Sequence, residues 1–215
     1  MNSIEQDIIL IAGKPGSGKS RLGREMTTAL GKYGQSVEHI SFGDHIRKIG
    51  SGAVASEFRE QILSHLNEHP YGLLDDEVIA GILERELARS AATALLFIDG
   101  MPRRDTQVSI LDTLSGDRSI RGMIITDVND HAAALRLQKR AHRSERNPVN
   151  SDTIQLRLQV HNQTFPAVKK AYEVVGLPIE VIDTSGDKDI TTQNGLMAVS
   201  WMMTETEDNQ QKNAS

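Results

Sequence analysis

A glycine-rich segment near the start of the chain has the residue types and spacing of a phosphate-binding loop. Residues 13–20 read Gly-Lys-Pro-Gly-Ser-Gly-Lys-Ser and fit the pattern G-x-x-x-x-G-K-[ST]. Its three glycines let successive backbone N–H groups curl around phosphate oxygens, at the positive dipole end of the helix that follows. In this pattern Lys19 reaches the β- and γ-phosphates and Ser20 holds Mg²⁺. The alternative is an accidental glycine-rich turn, but the segment lies between a buried-strand signal and a helix signal.

A run of basic residues in the second half of the chain could also bind phosphate. From Arg136 to Arg157 there are six basic residues and two acidic ones. Arg136 and Arg140 are four residues apart and share a helix face. Guanidinium groups bind phosphate bidentately without losing their proton, so we favour this function over a solvated basic face. Because Asn147 and Pro148 mark a loop within the run, we expect a hinged cover that closes over substrate.

Asp99 is the third candidate for chemistry, because it ends the apolar run of residues 95–98. A carboxylate at the end of a buried strand needs a cation or several hydrogen-bond donors. We therefore expect Asp99 to hold Mg²⁺, directly or through water. The alternative is that Asp99 only caps the next turn. The seven histidines show no metal-ligand spacing.

Alternating strands and helices must position these residues. Apolar runs predict strands at residues 8–12, 39–41, 95–99, 123–128 and 179–183. Helical spacing predicts helices at about 21–33, 132–137 and 190–203, and a mostly helical stretch over 45–89 that Gly and Pro residues break into short pieces. Such alternation predicts a parallel sheet with helices on both faces.

Composition excludes several classes of protein. The 215-residue chain has no cysteine, which excludes a disulfide framework, a thiolate metal site and a cysteine nucleophile. A formal net charge of -5 argues against a general nucleic-acid binder. No apolar run approaches the length of a membrane helix and no leader pattern opens the sequence, so we expect a cytoplasmic protein without a membrane partner. Residues 204–215 are almost entirely polar and predict a disordered tail.

The candidate residues, taken in order, resemble the adenylate kinase branch of the nucleoside monophosphate kinases. The resemblance covers roughly residues 7–203 and rests on five blocks: residues 13–20, 41–47, 99–103, the pair Arg136/Arg140 and the pair Arg146/Arg157. It implies an α/β P-loop kinase domain over 1–203, a three-layer sandwich with a five-stranded parallel sheet. It further implies a helical monophosphate-binding insert over 45–89 and a short lid over 140–157, without room for a zinc-bearing subdomain.

The same resemblance implies Mg²⁺-dependent transfer of the γ-phosphoryl group of ATP to a nucleoside monophosphate. By position it assigns ATP binding to Gly13, Pro15, Gly16, Ser17, Gly18, Lys19, Ser20, Arg21, Arg136 and Gly186. Acceptor binding falls to Phe42, Arg47, Leu74, Gly100, Arg103 and Gln107. Catalytic charge stabilisation falls to Lys19, Arg103, Arg140, Arg146 and Arg157, and the metal to Ser20 and Asp99.

The identity of the acceptor depends on two positions. Gln107 stands where adenylate kinases read the edge of adenine, and a carboxamide offers both a donor and an acceptor, which favours AMP. An exposed helix residue is the alternative for Gln107. Phe42 stands where the family places a threonine or alanine against the acceptor base. A kinase for another small acceptor and a nucleotide-binding regulator with little transfer activity therefore stay open, and the resemblance favours a monomer.

Overall fold

The chain folds as an α/β structure around a parallel sheet. The computed structural model describes residues 6–69, 72–90, 93–143 and 151–213, with side chains except at 142–143 and 205–213. Its strands are β1 (Asp7–Ala12), β2 (Val37–Ser41), β3 (Leu95–Asp99), β4 (Ser119–Asp127) and β5 (Ile179–Asp183). Its helices are α1 (Lys19–Lys32), α2 (Phe42–Gly50), α3 (Arg59–Glu68), α4 (Asp76–Arg89), α5 (Thr106–Ser115), α6 (Asp130–Arg143), α7 (Ser151–Val174) and α8 (Lys188–Asn213).

The sheet order is β2-β3-β1-β4-β5, with every neighbouring pair parallel, which confirms the predicted five-stranded parallel sheet. Strand β1 is central, and its residue Ile11 pairs with Asp99 on one side and Ile124 on the other. After β1 the chain passes the position of β3 to form β2, and then returns to form β3 between them. Strand β4 lies on the other side of β1. Ligands of open parallel sheets bind at such a switch point, beyond the carboxyl ends of the strands. The phosphate loop and Asp99 both lie there.

Strand β1 is buried on both faces, as its unbroken apolar run predicts. Ile8 and Leu10 face a core cluster on one side of the sheet, and Ile9 and Ile11 face a second cluster, with α1 and α8, on the other. Each fully buried side chain of this size contributes roughly 1.5–3 kcal/mol. The loop that follows β1 is therefore attached to a strand at the buried centre of the sheet.

Several boundaries differ from the predicted ones. Strand β4 begins at Ser119 rather than 123, and the helices between β2 and β3 begin at Phe42 rather than 45. Helices α5 and α7 had no sequence prediction. Helix α8 is described through Asn213, which overlaps the segment 204–215, and the disordered tail stays a prediction. Within the described ranges, no helix is both long and apolar enough to cross a membrane.

Candidate active site

Residues 13–18 join β1 to α1 in a conformation that needs glycine. Gly13, Gly16 and Gly18 have φ values of 135°, 83° and 99°, which strongly favour glycine. A Cβ atom on Gly13 would lie 2.4 Å from the carbonyl oxygen of Thr126, and one on Gly16 would lie 2.5 Å from that of Ala133. The loop therefore packs tightly against the end of β4 and the start of α6, while its residues Gly16 and Gly18 line the main cavity.

Lys19 projects from the first turn of α1 into this cavity. Its Nζ donates to the carbonyl oxygens of Gly13 (2.7 Å) and Lys14 (2.9 Å), so the ammonium group lies in the mouth of the loop. Burial of the ammonium group, followed by the charge of Arg103, lowers the pKa of Lys19 to about 7, although the Asp99 carboxylate opposes the shift. Because burial disfavours the charged form of Lys19, a bound anionic ligand would stabilise that form.

Asp99 and Ser20 place hard oxygen atoms together beside Lys19. Asp99 is buried, and its carboxylate is 2.8 Å from Nε2 of His39 on β2. Burial alone would raise the pKa of Asp99, but the hydrogen bonds from His39 and Ser20 outweigh it and lower the pKa. The Ser20 hydroxyl is also 3.3 Å from that of Ser41. An ionised carboxylate and a hydroxyl at the phosphate loop are donors that fit Mg²⁺.

Three arginines from different parts of the fold also line the cavity. Arg103 follows β3 and donates from Nε to the carbonyl oxygen of Gly100 at 2.8 Å. Arg140 comes from α6 and Arg157 from α7, and all three line the cavity. Partial burial and then the charge of Arg103 lower the pKa of Arg157 to about 10. These neighbouring positive charges favour the binding of anions in the cavity. Arg146 lies outside the described residues.

A single carboxylate, that of Asp44 on α2, lies close to three guanidinium groups. It is paired with Arg47, accepts from Arg140 at 3.2 Å and lies 3.7 Å from Arg24. Burial would raise the pKa of Asp44, but the charge and hydrogen bond of Arg47 lower it. Arg47 itself is absent from the cavity wall, so its predicted contact with an acceptor phosphate stays a prediction.

The residues assigned to the ATP base, Arg136 and Gly186, line the cavity, and Arg136 lies close to the phosphate loop. Arg136 on α6 donates from Nη2 to the carbonyl oxygen of Thr184 at 2.6 Å, and its Nη1 lies 3.5 Å from the carbonyl oxygen of Gly16. Arg21 pairs with Glu25 at 2.8 Å. Arg21, Arg136 and Gly186 all line the cavity, together with Pro15 and Ser20. Ser17, within the loop, is fully buried.

Besides Arg47, three more of the six residues assigned to the acceptor do not reach the cavity wall. Phe42 is 1% exposed and belongs to the hydrophobic core, as does Leu74. Gln107 is 2% exposed, and both ends of its carboxamide are bound: Oε1 accepts from the backbone N–H of Arg103 (2.8 Å) and Nε2 donates to Asp76 (3.0 Å). Gly100 and Arg103 do line the cavity. Gln107 therefore contacts the backbone of Arg103 and does not line the cavity.

Sequence reasoning missed several residues of the site. Helix α7 contributes His161 and Phe165 to the cavity wall, with their rings stacked at 4.8 Å. Both follow Arg157 at four-residue intervals, a helical spacing that would have placed them on the same face. Partial burial and then the charge of Lys19 lower the pKa of His161 to about 4, so this imidazole is neutral. Asp76, which accepts hydrogen bonds from Thr106 and Gln107, was also missed, because these partners lie about 30 residues further along the chain.

The cavity has a volume of about 600 Å³, within the range of small-molecule sites. The phosphate loop and residues of α2, α6 and α7 contribute to its wall. Among the described residues, its wall combines three lysines and six arginines with two carboxylates, those of Asp44 and Asp99. This arrangement binds polyanions and can stabilise charge on a phosphoryl group in transit.

Comparison with known proteins agrees with this geometry. The sequence model of a family described as an AAA domain matches residues 12–155. The adenylate kinase of Thermobifida fusca (strain YX) is 27% identical over 193 residues, covering 89% of this chain and 97% of that protein. The adenylate kinase of Xylella fastidiosa (strain 9a5c) is 26% identical over 194 residues, covering 89% and 98%. That of Stenotrophomonas maltophilia (strain R551-3) is 27% identical over 164 residues, covering 74% and 82%.

Proposed function

Because the chain belongs both to the family described as an AAA domain and to the adenylate kinase family, we propose that it transfers the γ-phosphoryl group of ATP to a nucleoside monophosphate. The observation that carries the proposal is the cavity itself. Its wall includes the phosphate loop and its lysine together with Arg103, Arg140 and Arg157. Two phosphate chains that meet in this space would be surrounded by cations from four elements.

The reaction needs no nucleophilic side chain. The acceptor phosphate attacks the γ-phosphorus in line, and the protein positions both nucleotides and stabilises the charge on the transferred group. Lys19 serves the triphosphate, Arg103 the acceptor phosphate, and Arg140 and Arg157 the space between them. Ser20 and Asp99 would hold Mg²⁺, which offsets negative charge on the β- and γ-phosphates when it is bound.

AMP is the acceptor that we propose first, giving two ADP. Its support is the similarity of this chain to proteins named adenylate kinase over most of both lengths. The placement of Gln107 favours a second candidate. Since both ends of its carboxamide are engaged within the protein, reading an adenine edge would require Gln107 to exchange partners. A kinase for a different small acceptor would not need that exchange.

A label-transfer assay tests the proposal and separates the candidates. ATP labelled in the γ-phosphate is incubated with Mg²⁺ and, in turn, AMP, CMP, UMP, GMP and their deoxy forms, and the labelled products are separated. We expect label to move to AMP fastest and to depend on Lys19. Faster transfer to another monophosphate would replace AMP as the acceptor. If no monophosphate receives label, the proposal of a nucleoside monophosphate kinase fails.

A further inference from the structure

The residue directly after β5 connects the phosphate loop to the rest of the sheet. Thr184 is 2% exposed, and its Oγ1 lies 2.6 Å from the carbonyl oxygen of Ser17 and 2.9 Å from that of Asp127. A threonine hydroxyl has one proton to donate. The shorter distance is to Ser17, so the hydroxyl donates to the loop.

The backbone of Thr184 is held equally firmly. Its N–H donates to the carbonyl oxygen of Asp127 at 2.8 Å, and its own carbonyl oxygen accepts from Nη2 of Arg136 at 2.6 Å. Thr184 thus joins the end of β4, the phosphate loop and Arg136 of α6. No other described threonine is shown to bond to both the loop and Arg136.

The hydrogen bond to Ser17 controls the orientation of one peptide group. The carbonyl of Ser17 and the N–H of Gly18 belong to the same planar trans peptide, so they point in opposite directions. Gly18 has a φ of 99°, and glycine tolerates many backbone conformations. Without the Thr184 hydroxyl, the Ser17 oxygen would keep only its long contact of 3.5 Å with Nη1 of Arg136, and this peptide could rotate. With the oxygen bound to Thr184, the N–H of Gly18 is directed away from Thr184 and is available to a phosphate.

We propose that Thr184 is a positioning residue for triphosphate binding, which acts by fixing the Ser17–Gly18 peptide and the guanidinium group of Arg136. The inference rests on the proposed function, since it takes the phosphate loop as the ATP site. Thr184 acts on the loop side of the cavity alone. Removing its hydroxyl should therefore weaken ATP and leave the acceptor unaffected.

Two substitutions isolate the hydroxyl. Thr184→Val keeps the shape and removes the donor, whereas Thr184→Ser keeps the donor. We expect Thr184→Val to raise the Kd for ADP and for a non-hydrolysable ATP analogue roughly tenfold, the order expected for one well-placed hydrogen bond. The KM for the acceptor should change less than twofold, and Thr184→Ser should stay within threefold of the natural protein for all ligands.

Thr191→Val is the matched control. Thr191 is equally buried, but its hydroxyl donates to Asp187 within the first turns of α8. Its substitution removes a buried hydrogen bond away from the loop, so ATP binding should not change. If Thr184→Val is too unstable to assay, Thr184→Ala provides a second variant without the hydroxyl.

The remaining outcomes overturn the inference. It fails if Thr184→Val binds ATP within threefold of the natural protein, or if Thr184→Ser loses as much affinity as Thr184→Val. It also fails if both substrates weaken equally while Tm falls, because that is a general structural defect. Calorimetric binding separates this from the proposed function: a chain that binds ADP but transfers no phosphoryl group refutes only the function. A chain that binds neither ATP nor ADP refutes both.

Discussion

Replacing Lys19 with methionine tests whether its charge acts on the transferred phosphoryl group. Methionine has a similar length and fits the same half-buried position, but it has no charge. At an effective dielectric constant of about 20, a unit charge about 4 Å from a phosphate oxygen contributes about 4 kcal/mol. If that interaction develops fully only in the transition state, kcat should fall about 10³-fold.

The same substitution should leave the fold nearly as stable as before. It removes two hydrogen bonds, to the carbonyl oxygens of Gly13 and Lys14, at about 1 kcal/mol each. It also removes a cation whose charged form is disfavoured by burial and by the charge of Arg103. Removing this cation should stabilise the fold and offset part of the loss of the two hydrogen bonds. We therefore expect Tm to change by no more than about 4 °C, which is roughly a 1 kcal/mol net effect.

Lys14→Met is the control for this experiment. Lys14 belongs to the same loop, but its Nζ pairs with Asp130 at 2.6 Å and the residue is absent from the cavity wall. Steady-state rates and thermal unfolding of both variants are compared with the natural chain. Only Lys19→Met should lose turnover. Near-normal turnover of Lys19→Met, or equal losses in both variants, would show that the ammonium group of Lys19 has no special role.

Three further predictions concern the loop, the core and the cavity wall. Gly13→Ala should lower both nucleotide affinity and Tm, because its Cβ would lie 2.4 Å from the backbone oxygen of Thr126; unchanged calorimetric binding would contradict the tight packing. Arg121→Met should destabilise the protein by about 3–5 kcal/mol in urea unfolding, since it leaves the buried carboxylate of Asp7 without its paired charge, and adding Asp7→Asn should recover part of that loss. The ring of His161 should titrate near pH 4 in an NMR experiment on the free protein, and bound phosphates should raise its pKa by offsetting the nearby cations; titration near 6.5 in the free protein would refute this.

Local sequence pattern predicted the part of the site that is local in the chain. The run from Ile8 to Ser20 contains a strand, a glycine turn and a helix start, and each is set by neighbouring residues. The position of Asp99 beside this loop also follows from pattern, because parallel strands bring their carboxyl ends to one edge of a sheet. These predictions needed no knowledge of distant contacts.

The rest of the site depends on contacts between distant residues. Gln107 looked available to a nucleotide because the sequence does not show the partners of its carboxamide, of which only Arg103 is near it in the chain. Its partner Asp76 arrives from α4, 31 residues away. Helix α7 had no prediction because its apolar residues form no clean stripe and Pro166 lies within it. Two of the missed cavity residues, His161 and Phe165, are on that helix.

The low pKa of Lys19 gives this amine an unusual chemical reactivity. At pH 8 a group with a pKa of about 7 is roughly nine-tenths neutral, whereas an ordinary lysine is less than about one per cent neutral. Only the neutral amine is a nucleophile, and Lys19 opens onto the cavity. Acylating reagents used sparingly should therefore modify Lys19 well before an ordinary surface lysine, and bound nucleotide should protect it. The same feature that prepares the site for phosphate thus makes it a place for selective covalent labelling.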